Sequence, residues 1–307
     1  MTNTYKITIE DNDAGRRLDS FLAEMFVEYS RSQIQKLIKN EKTKVNNTSV
    51  KTSYIIKEND IIELNIDKPD EVLLEAENIP LDIRHEDSQI LVINKPKNML
   101  THPTANEKTK TLANALLYKY GYGGLSTVNG PLRPGILHRL DRNTSGLLMV
   151  AKNNYAHDFL TNQIKLKTAA RKYLAIVQGN FEQQEGTINK PLGRDPSKPE
   201  RMSIIEGGKD SITHYKILEQ FKNFSFVELS LETGRTHQIR VHLSSIGHPI
   251  VNDSLYNGPR VKVKTTEQLL QAYKLRFTTP ATNSIIEVEL QIDEEIQKTL
   301  NYLRSKQ

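Results

Sequence analysis

Three polar segments hold the residues able to do chemistry. The first, PGILHRLDRNTSGLLMVAK (134–152), sets His138, Arg139, Asp141, Arg142, Asn143, Thr144 and Ser145 between an apolar lead and an apolar run. A carboxylate between two guanidinium groups, as Asp141 is, can act as a nucleophile, a general base or a metal ligand. It can also simply cap the turn before GLLMVAK, with the arginines as surface partners. The second, LETGRTHQIRVHLSSIGHPIVND (231–253), carries Arg235, His237, Gln238, Arg240, His242 and His248. If extended, it presents Gln238, Arg240 and His242 on one face; if helical, it puts Thr236 and Arg240 together. Arg240 is the candidate to enter a cleft and pair with a carboxylate, because a planar fork of donors suits that partner. The third, RKYLAIVQG (171–179), opens an apolar run with Tyr173, whose ring can stack on a base and whose hydroxyl can hydrogen-bond. An edge-of-sheet tyrosine would look the same. His138, Asp141, His237 and His242 are also capable of binding a metal. No pair of them has a recognised ligand spacing, and the surrounding arginines would repel a cation.

Composition narrows the chemistry further. The 307 residues contain no Cys, which removes thiolate nucleophiles, disulfides, thiolate zinc sites and iron–sulfur clusters. No apolar run approaches the roughly 18 residues that cross a bilayer, and the N-terminal MTNTYKITIEDNDAGRR has acids where a signal peptide needs an apolar stretch. The expected setting is the cytoplasm. The net charge of +5 is small, but it is unevenly placed. Residues 31–57 hold seven cations against one acid, and residues 131–175 hold eight against two. Between them lies an acidic, proline-punctuated stretch with no steady period.

These segments need a scaffold. QILVINKP (89–96), GLLMVAK (146–152), KYLAIVQG (172–179), SITHYKILE (211–219), FSFVELSLET (224–233) and SIIEVELQI (284–292) read as strands. KTLANALLYKY (110–120), HDFLTNQIKL (157–166) and TEQLLQAYKL (266–275) read as helices. The order lacks the βαβ rhythm of a doubly wound sheet. The expected fold class is α+β: a mixed, mainly antiparallel sheet with helices packed on it, over residues 81–307. Residues 67–80 are expected to be a linker. Residues 1–66 form a second, small α+β module. In it, SRSQIQKLIKN puts Ile34, Leu37 and Ile38 on one helix face, with Arg31, Gln35, Lys36 and Lys39 largely on the other. A turn at Asn46-Asn47 and two short strands, around KTKVN and DIIELNI, follow. A basic helix backed by a small sheet is a footprint for phosphate, although a lysine-rich face can equally be a solvated surface.

The order RLDSFLAEMF, SRSQIQKLIKN, VNNTSVKTSYIIKENDIIEL, over residues 16–66, resembles the small RNA-binding domain of a ribosomal small-subunit protein, the αL motif. Asn46-Asn47 replaces that family's usual Asn-Gly; both types tolerate a left-handed backbone. In the larger part, NKPKNMLTHP, GILHRLDRNTSGLLMVAK, RKYLAIVQG, PLGRDP, TGRTHQIRVHL and GHPIVNDSLY together resemble pseudouridine synthases of the RluA/RluD type. Two departures, Asn252-Asp253 in place of Gly-Asp and Tyr273 near a position often held by His, are expected to affect peripheral turns more than the catalytic strings. The resemblance implies isomerisation of uridine in structured RNA to pseudouridine by base flipping. It implies Asp141 as the catalytic carboxylate, Arg240 as its partner and Tyr173 as the ring against the base. Arg139 would fill the gap left by the extruded nucleotide. His138, Arg142, Thr144, Arg235, His237 and Gln238 are expected to bind substrate, and Arg31, Gln35, Lys36 and Lys39 to bind RNA. A redox-neutral isomerisation implies no cofactor. The implied partner is RNA, ribosomal RNA of the large subunit first and transfer RNA as the alternative. No membrane and no obligate protein partner are expected, and the expected state is a monomer. A non-catalytic assembly factor and a metal-dependent RNA hydrolase are the rival readings.

Overall fold

The computed structural model describes residues 2–26, 29, 31–67, 74–104 and 106–306. The chain forms two compact units, Met1–Val72 and Leu73–Gln307.

The first unit runs β1 (Thr2–Thr8), α1 (Leu18–Met25), α2 (Arg31–Lys39), β2 (Thr43–Val45), β3 (Thr48–Ser49) and β4 (Ile61–Asp67), with an antiparallel sheet ordered β1-β4-β2-β3. The helices bury Leu18, Phe21, Leu22, Ile34 and Ile38 against Val45, Ile62 and Leu64 of the sheet. Asn46 and Asn47 have φ of 50° and 62°. Both are left-handed, as a two-residue hairpin between β2 and β3 demands.

The second unit runs β5 (Asp82–Glu86), β6 (Ile90–Lys95), α3 (Leu112–Tyr120), β7 (Ser145–Ala151), α4 (Asn154–Lys165), β8 (Ala170–Gln178), β9 (Glu185–Asn189), β10 (Leu192–Arg194), β11 (Met202–Ile204), β12 (Ile212–Gln220), β13 (Phe224–Leu231), α5 (Gln238–Ser245), β14 (Leu270–Thr278), β15 (Ile285–Glu289) and α6 (Glu294–Arg304). Nine strands make one sheet, ordered β5-β6-β7-β14-β8-β13-β12-β9, with β15 paired to β14. The β7–β14 pairing is parallel and the other pairings in this sheet are antiparallel. The α+β, mainly antiparallel architecture is therefore the one expected.

Alternation along the strands makes two buried faces. On β8, Tyr173, Ala175 and Val177 join Leu112, Leu116, Ile239 and Leu243 from α3 and α5. Leu174 and Ile176 turn the other way, toward Ile296, Leu300 and Leu303 of α6. Each such large side chain stabilises the fold by roughly 1.5–3 kcal/mol relative to exposure. Local signals fix the helix starts. Thr111 and Asn114 form a reciprocal capping box at α3, Asn153 caps α4, and Asp293 caps α6.

Two expectations change. Residues 270–278 form a strand, not the end of a helix. Their Leu, Gln and Ala content suits a helix, but between β7 and β8 burial on both faces outweighs that preference. Gly146 makes the close β7–β14 approach possible: at φ 122°, a Cβ there would stand 2.1 Å from the Ala272 carbonyl oxygen. Part of the expected linker is also packed. Leu74 is buried in the core beneath the sheet, and the Asn114 side chain holds the Glu75 carbonyl at 2.8 Å.

Candidate active site

Asp141 sits in the loop that enters β7. The loop is fastened where the carboxylate needs it rigid. Thr101 Oγ1 accepts from Leu140 N (3.2 Å) and donates to Leu140 O (2.9 Å). His138 Nε2 accepts from Met149 N at 3.1 Å. Burial, with Arg171 nearby, pushes His138 down to about 3, so the ring is neutral and its proton is on Nδ1. Lys95, at the end of β6, is fully buried and donates to the carbonyls of Pro96, Met99 and Arg142 at 2.7, 2.9 and 3.1 Å. Burial lowers it to about 7, against the pull of Asp141.

The opposing wall is α5. The segment from Gln238 is helical, so the strand alternative does not apply. His237 turns the chain into it at φ 54°, and Ile239 and Leu243, four apart, seat the helix in the core. This brings Arg240 to Asp141: Nη1 donates to Oδ2 at 3.1 Å. The rest of the guanidinium is gripped by Asp253, with Nε at 2.6 Å and Nη2 at 2.8 Å from its two carboxylate oxygens. Burial opposes the charge on Arg240, but Asp253, with Asp141, carries its pKa above the ordinary arginine value. Asp141 Oδ1 makes no hydrogen bond among the described residues, so one oxygen is held and the other is open. His237 Nε2 stands 3.9 Å from Oδ2, and its Nδ1 is 2.9 Å from the Tyr256 hydroxyl. Burial, partly opposed by Asp141, keeps this imidazole neutral at lower pH than usual.

These groups border a cleft of about 310 Å³. Asp141, Tyr173, Arg240, His138, Arg139, Thr144, Arg235, His237 and Gln238 all line it. Tyr173 is 5% exposed, and burial raises its phenol. Exposed Arg139 and Arg235, with Arg133, stand along the cleft and give it a basic rim.

Several expected substrate contacts are otherwise engaged. Arg142 does not line the cleft and is ion-paired to Glu107. Gln238 has its amide committed: Oε1 accepts from Arg235 N and Thr233 Oγ1, and Nε2 donates to Ile212 O and Thr213 Oγ1. His242 points to Thr213 Oγ1 and the Lys190 carbonyl, so the four metal-capable residues do not converge. In the first unit, Arg31 and Gln35 both bond to the buried Asp19, together with Arg17. Arg17, Gln35 and Arg31 hold that carboxyl far below its usual range against burial. Lys36 and Lys39 are exposed, with no ion pair among the described residues.

Sequence reasoning passed over Asp253, Lys95, Tyr256 and Arg171. Asp253 lay in plain view in GHPIVND, but the turn is not peripheral. Asn252 there has a φ of 64°, the backbone geometry a glycine would also supply, and Asp253 is the main anchor of Arg240.

Comparison with known proteins gives the family. Residues 89–245 match the RNA pseudouridylate synthase family, and residues 16–62 match the S4 domain. An uncharacterized RNA pseudouridine synthase of Bacillus subtilis, YlyB, is 41% identical over 302 residues, covering 98% of this chain and 99% of the relative. The ribosomal large subunit pseudouridine synthase D of Haemophilus ducreyi is 38% identical over 320 residues, covering 99% and 97%. Among solved structures, the human RNA pseudouridylate synthase domain containing 1 superposes with a TM-score of 0.53 at 25% identity, over 75% of this chain and 97% of that one. A carboxylate tethered by a buried arginine in a basic cleft, in a chain matched end to end by such relatives, marks this protein as a member of the RNA pseudouridylate synthase family, an RNA-modifying isomerase with an N-terminal S4 domain.

Proposed function

We propose that the enzyme converts uridine in large-subunit ribosomal RNA to pseudouridine, in the cytoplasm, with Asp141 as the reacting carboxylate. The observation that carries the assignment of Asp141 is its asymmetry. Arg240 fixes Oδ2, while Oδ1 of this cleft-lining residue has no hydrogen-bond partner among the described residues. The carboxylate oxygen left free in this way can attack the anomeric carbon or take a sugar proton without first breaking a protein hydrogen bond.

The remaining groups divide the work. Tyr173, at the cleft wall, stacks on the flipped uracil. Arg139 occupies the space the base vacates. His237 stays neutral beside Asp141 and adds no second fixed charge. The rim arginines, with Lys36 and Lys39 of the first unit, contact phosphate, so affinity falls with salt. Ribosomal RNA is favoured over transfer RNA because full-length relatives carry ribosomal large subunit names. The test is a map of pseudouridines across total RNA from cells with and without the gene, and with an Asp141→Asn copy. Loss of sites in large-subunit RNA in both deficient strains is expected. Loss confined to transfer RNA would redirect the substrate, and full modification by the Asn copy would remove Asp141 from the chemistry.

A further inference from the structure

Of the two buried arginines among the described residues of the cleft wall, Arg240 is ion-paired and Arg171 is not. Arg171 is 5% exposed, yet its side chain has no ion pair and no hydrogen bond among the described residues, and its Nε is covered without an acceptor. A buried guanidinium without a partner is costly unless a ligand completes it. The fold makes room for it deliberately: a Cβ at Gly234 would lie 3.0 Å from Arg171 Nη1. Gly234 does not have a left-handed φ, so space, not backbone, explains the glycine there.

The position selects the ligand. Arg171 and Tyr173 are two apart on β8 and share a sheet face, and both line the cleft with Asp141. An RNA chain must enter and leave, so its phosphates follow the exposed rim. Only a group projecting from the backbone reaches a residue this buried, and in this reaction that group is the flipped base.

We infer that Arg171 is a further catalytic residue that binds a carbonyl oxygen of the target uracil and stabilises the charge the base acquires when it is cut from the sugar. This rests on the reading of the site given under Proposed function. As the C1′–N1 bond breaks, its electron pair stays with the uracil and spreads onto O2 and O4. C5 then bonds to C1′, the C5 proton leaves, and N1 gains a proton. One proton has moved from C5 to N1, and no oxidant or reductant is consumed. A fixed cation beside the anionic base acts on the charged state and much less on bound uridine, so it speeds the bond-breaking step.

The experiment is single-turnover kinetics on a saturating substrate RNA, with binding measured across salt concentrations, for Arg171→Gln, Arg171→Lys and Gly234→Ala. The Gln variant is expected to lose about 10²- to 10³-fold in rate with unchanged affinity and salt slope, and the Lys variant to recover most of the rate. A full rate in the Gln variant overturns the inference. So does weakened binding with a salt slope smaller by about one and an intact saturated rate, which would make Arg171 a phosphate contact. If the Gln variant does not fold, Gly234→Ala decides: it keeps the charge but makes the guanidinium give by a few tenths of an ångström, and a wild-type rate there overturns the proposal. Asp141→Asn is run alongside. Turnover by that variant means the site reading itself has failed; a silent Asp141→Asn beside a fully active Arg171→Gln means only this inference has.

Discussion

Asp253→Asn separates anchoring from chemistry. Asp253 is 1% exposed and takes two of the three hydrogen bonds that Arg240 gives to carboxylates, at 2.6 and 2.8 Å. Removing one partner of a buried ion pair costs about 3–5 kcal/mol, because the other charge stays buried. Asn still accepts one guanidinium N–H, and it can keep the contacts that Asp253 makes with Leu255 N and Tyr256 N. The expected loss is therefore at the lower end, about 3 kcal/mol. In a domain of roughly 150–250 residues, at about 2–4 °C per kcal/mol, that is a fall in Tm of about 6–12 °C. Arg240 would then be drawn toward Asp141, and a reactive group displaced by about 1 Å can lose about 10²-fold in rate. Thermal melting and single-turnover kinetics read the two effects, with RNA affinity expected to stay unchanged. Asp141→Asn removes a single contact at a 17% exposed side chain, so its stability should change by only about 1 kcal/mol. If Asp141→Asn melts lower than Asp253→Asn, the assignment of the two carboxylates is wrong.

Other outcomes follow from the same geometry. Asp141→Asn should abolish turnover while leaving the RNA dissociation constant near wild type; residual pseudouridine formation in a chemical sequencing assay would contradict it. Burial, with Arg171 for His138 and with Arg133 and Arg139 for His102, pushes these histidines down to about 3 and about 4. Below about pH 6.5 the unfolded chain binds protons that the folded chain refuses, so stability is lost as pH falls from about 6.5 toward 4. The slope reaches about 1.4 kcal/mol per pH unit for each histidine. A Tm that does not move between pH 7 and pH 5 would show that neither histidine is held neutral by the fold. Lys95→Met leaves three buried carbonyls without their donor and should cost about 3 kcal/mol, read by denaturant unfolding of the full chain. Lys36→Ala and Lys39→Ala should each lower the salt slope of RNA binding by about one. Arg31→Ala should instead lower the stability of the first unit through Asp19, and equal effects on RNA binding from all three would refute that division.

What the sequence revealed of the site were groups whose chemistry is carried by their own type. Asp141, Arg240 and Tyr173 stand in polar strings that interrupt apolar runs, and such interruptions are visible without a fold. Asp253 and Lys95 act through another residue, and their value depends on a packing partner far along the chain. Lys95 looks like the last residue of a strand until its three carbonyl acceptors are seen. Arg142 and Gln238 show the opposite limit: their polar type suggests substrate, and only the fold shows that Glu107 pairs with Arg142 and that the Gln238 amide holds neighbouring backbone. In the fold, β6, β7, β8, β12 and β13 were legible from apolar runs. β14 was not, because its composition favours a helix and only its central place in the sheet decides otherwise. The α6 stripe of Ile296, Leu300 and Leu303 behind the Asp293 cap is present in the sequence; reading 284–292 as a strand stops just short of it.

The Asp141–Arg240 hydrogen bond joins residues 99 positions apart. One arrives from the β7 side of the sheet and the other from beyond β13, with β14 and β8 between them. Such a contact closes only after the central strands have paired, and pairings so distant in sequence are slow to form. During refolding, turnover should therefore return last, after helix content and sheet signal have recovered. A half-assembled sheet would hold a carboxylate and a guanidinium but no working pair, so newly made chains should stay inert toward RNA until the sheet is whole.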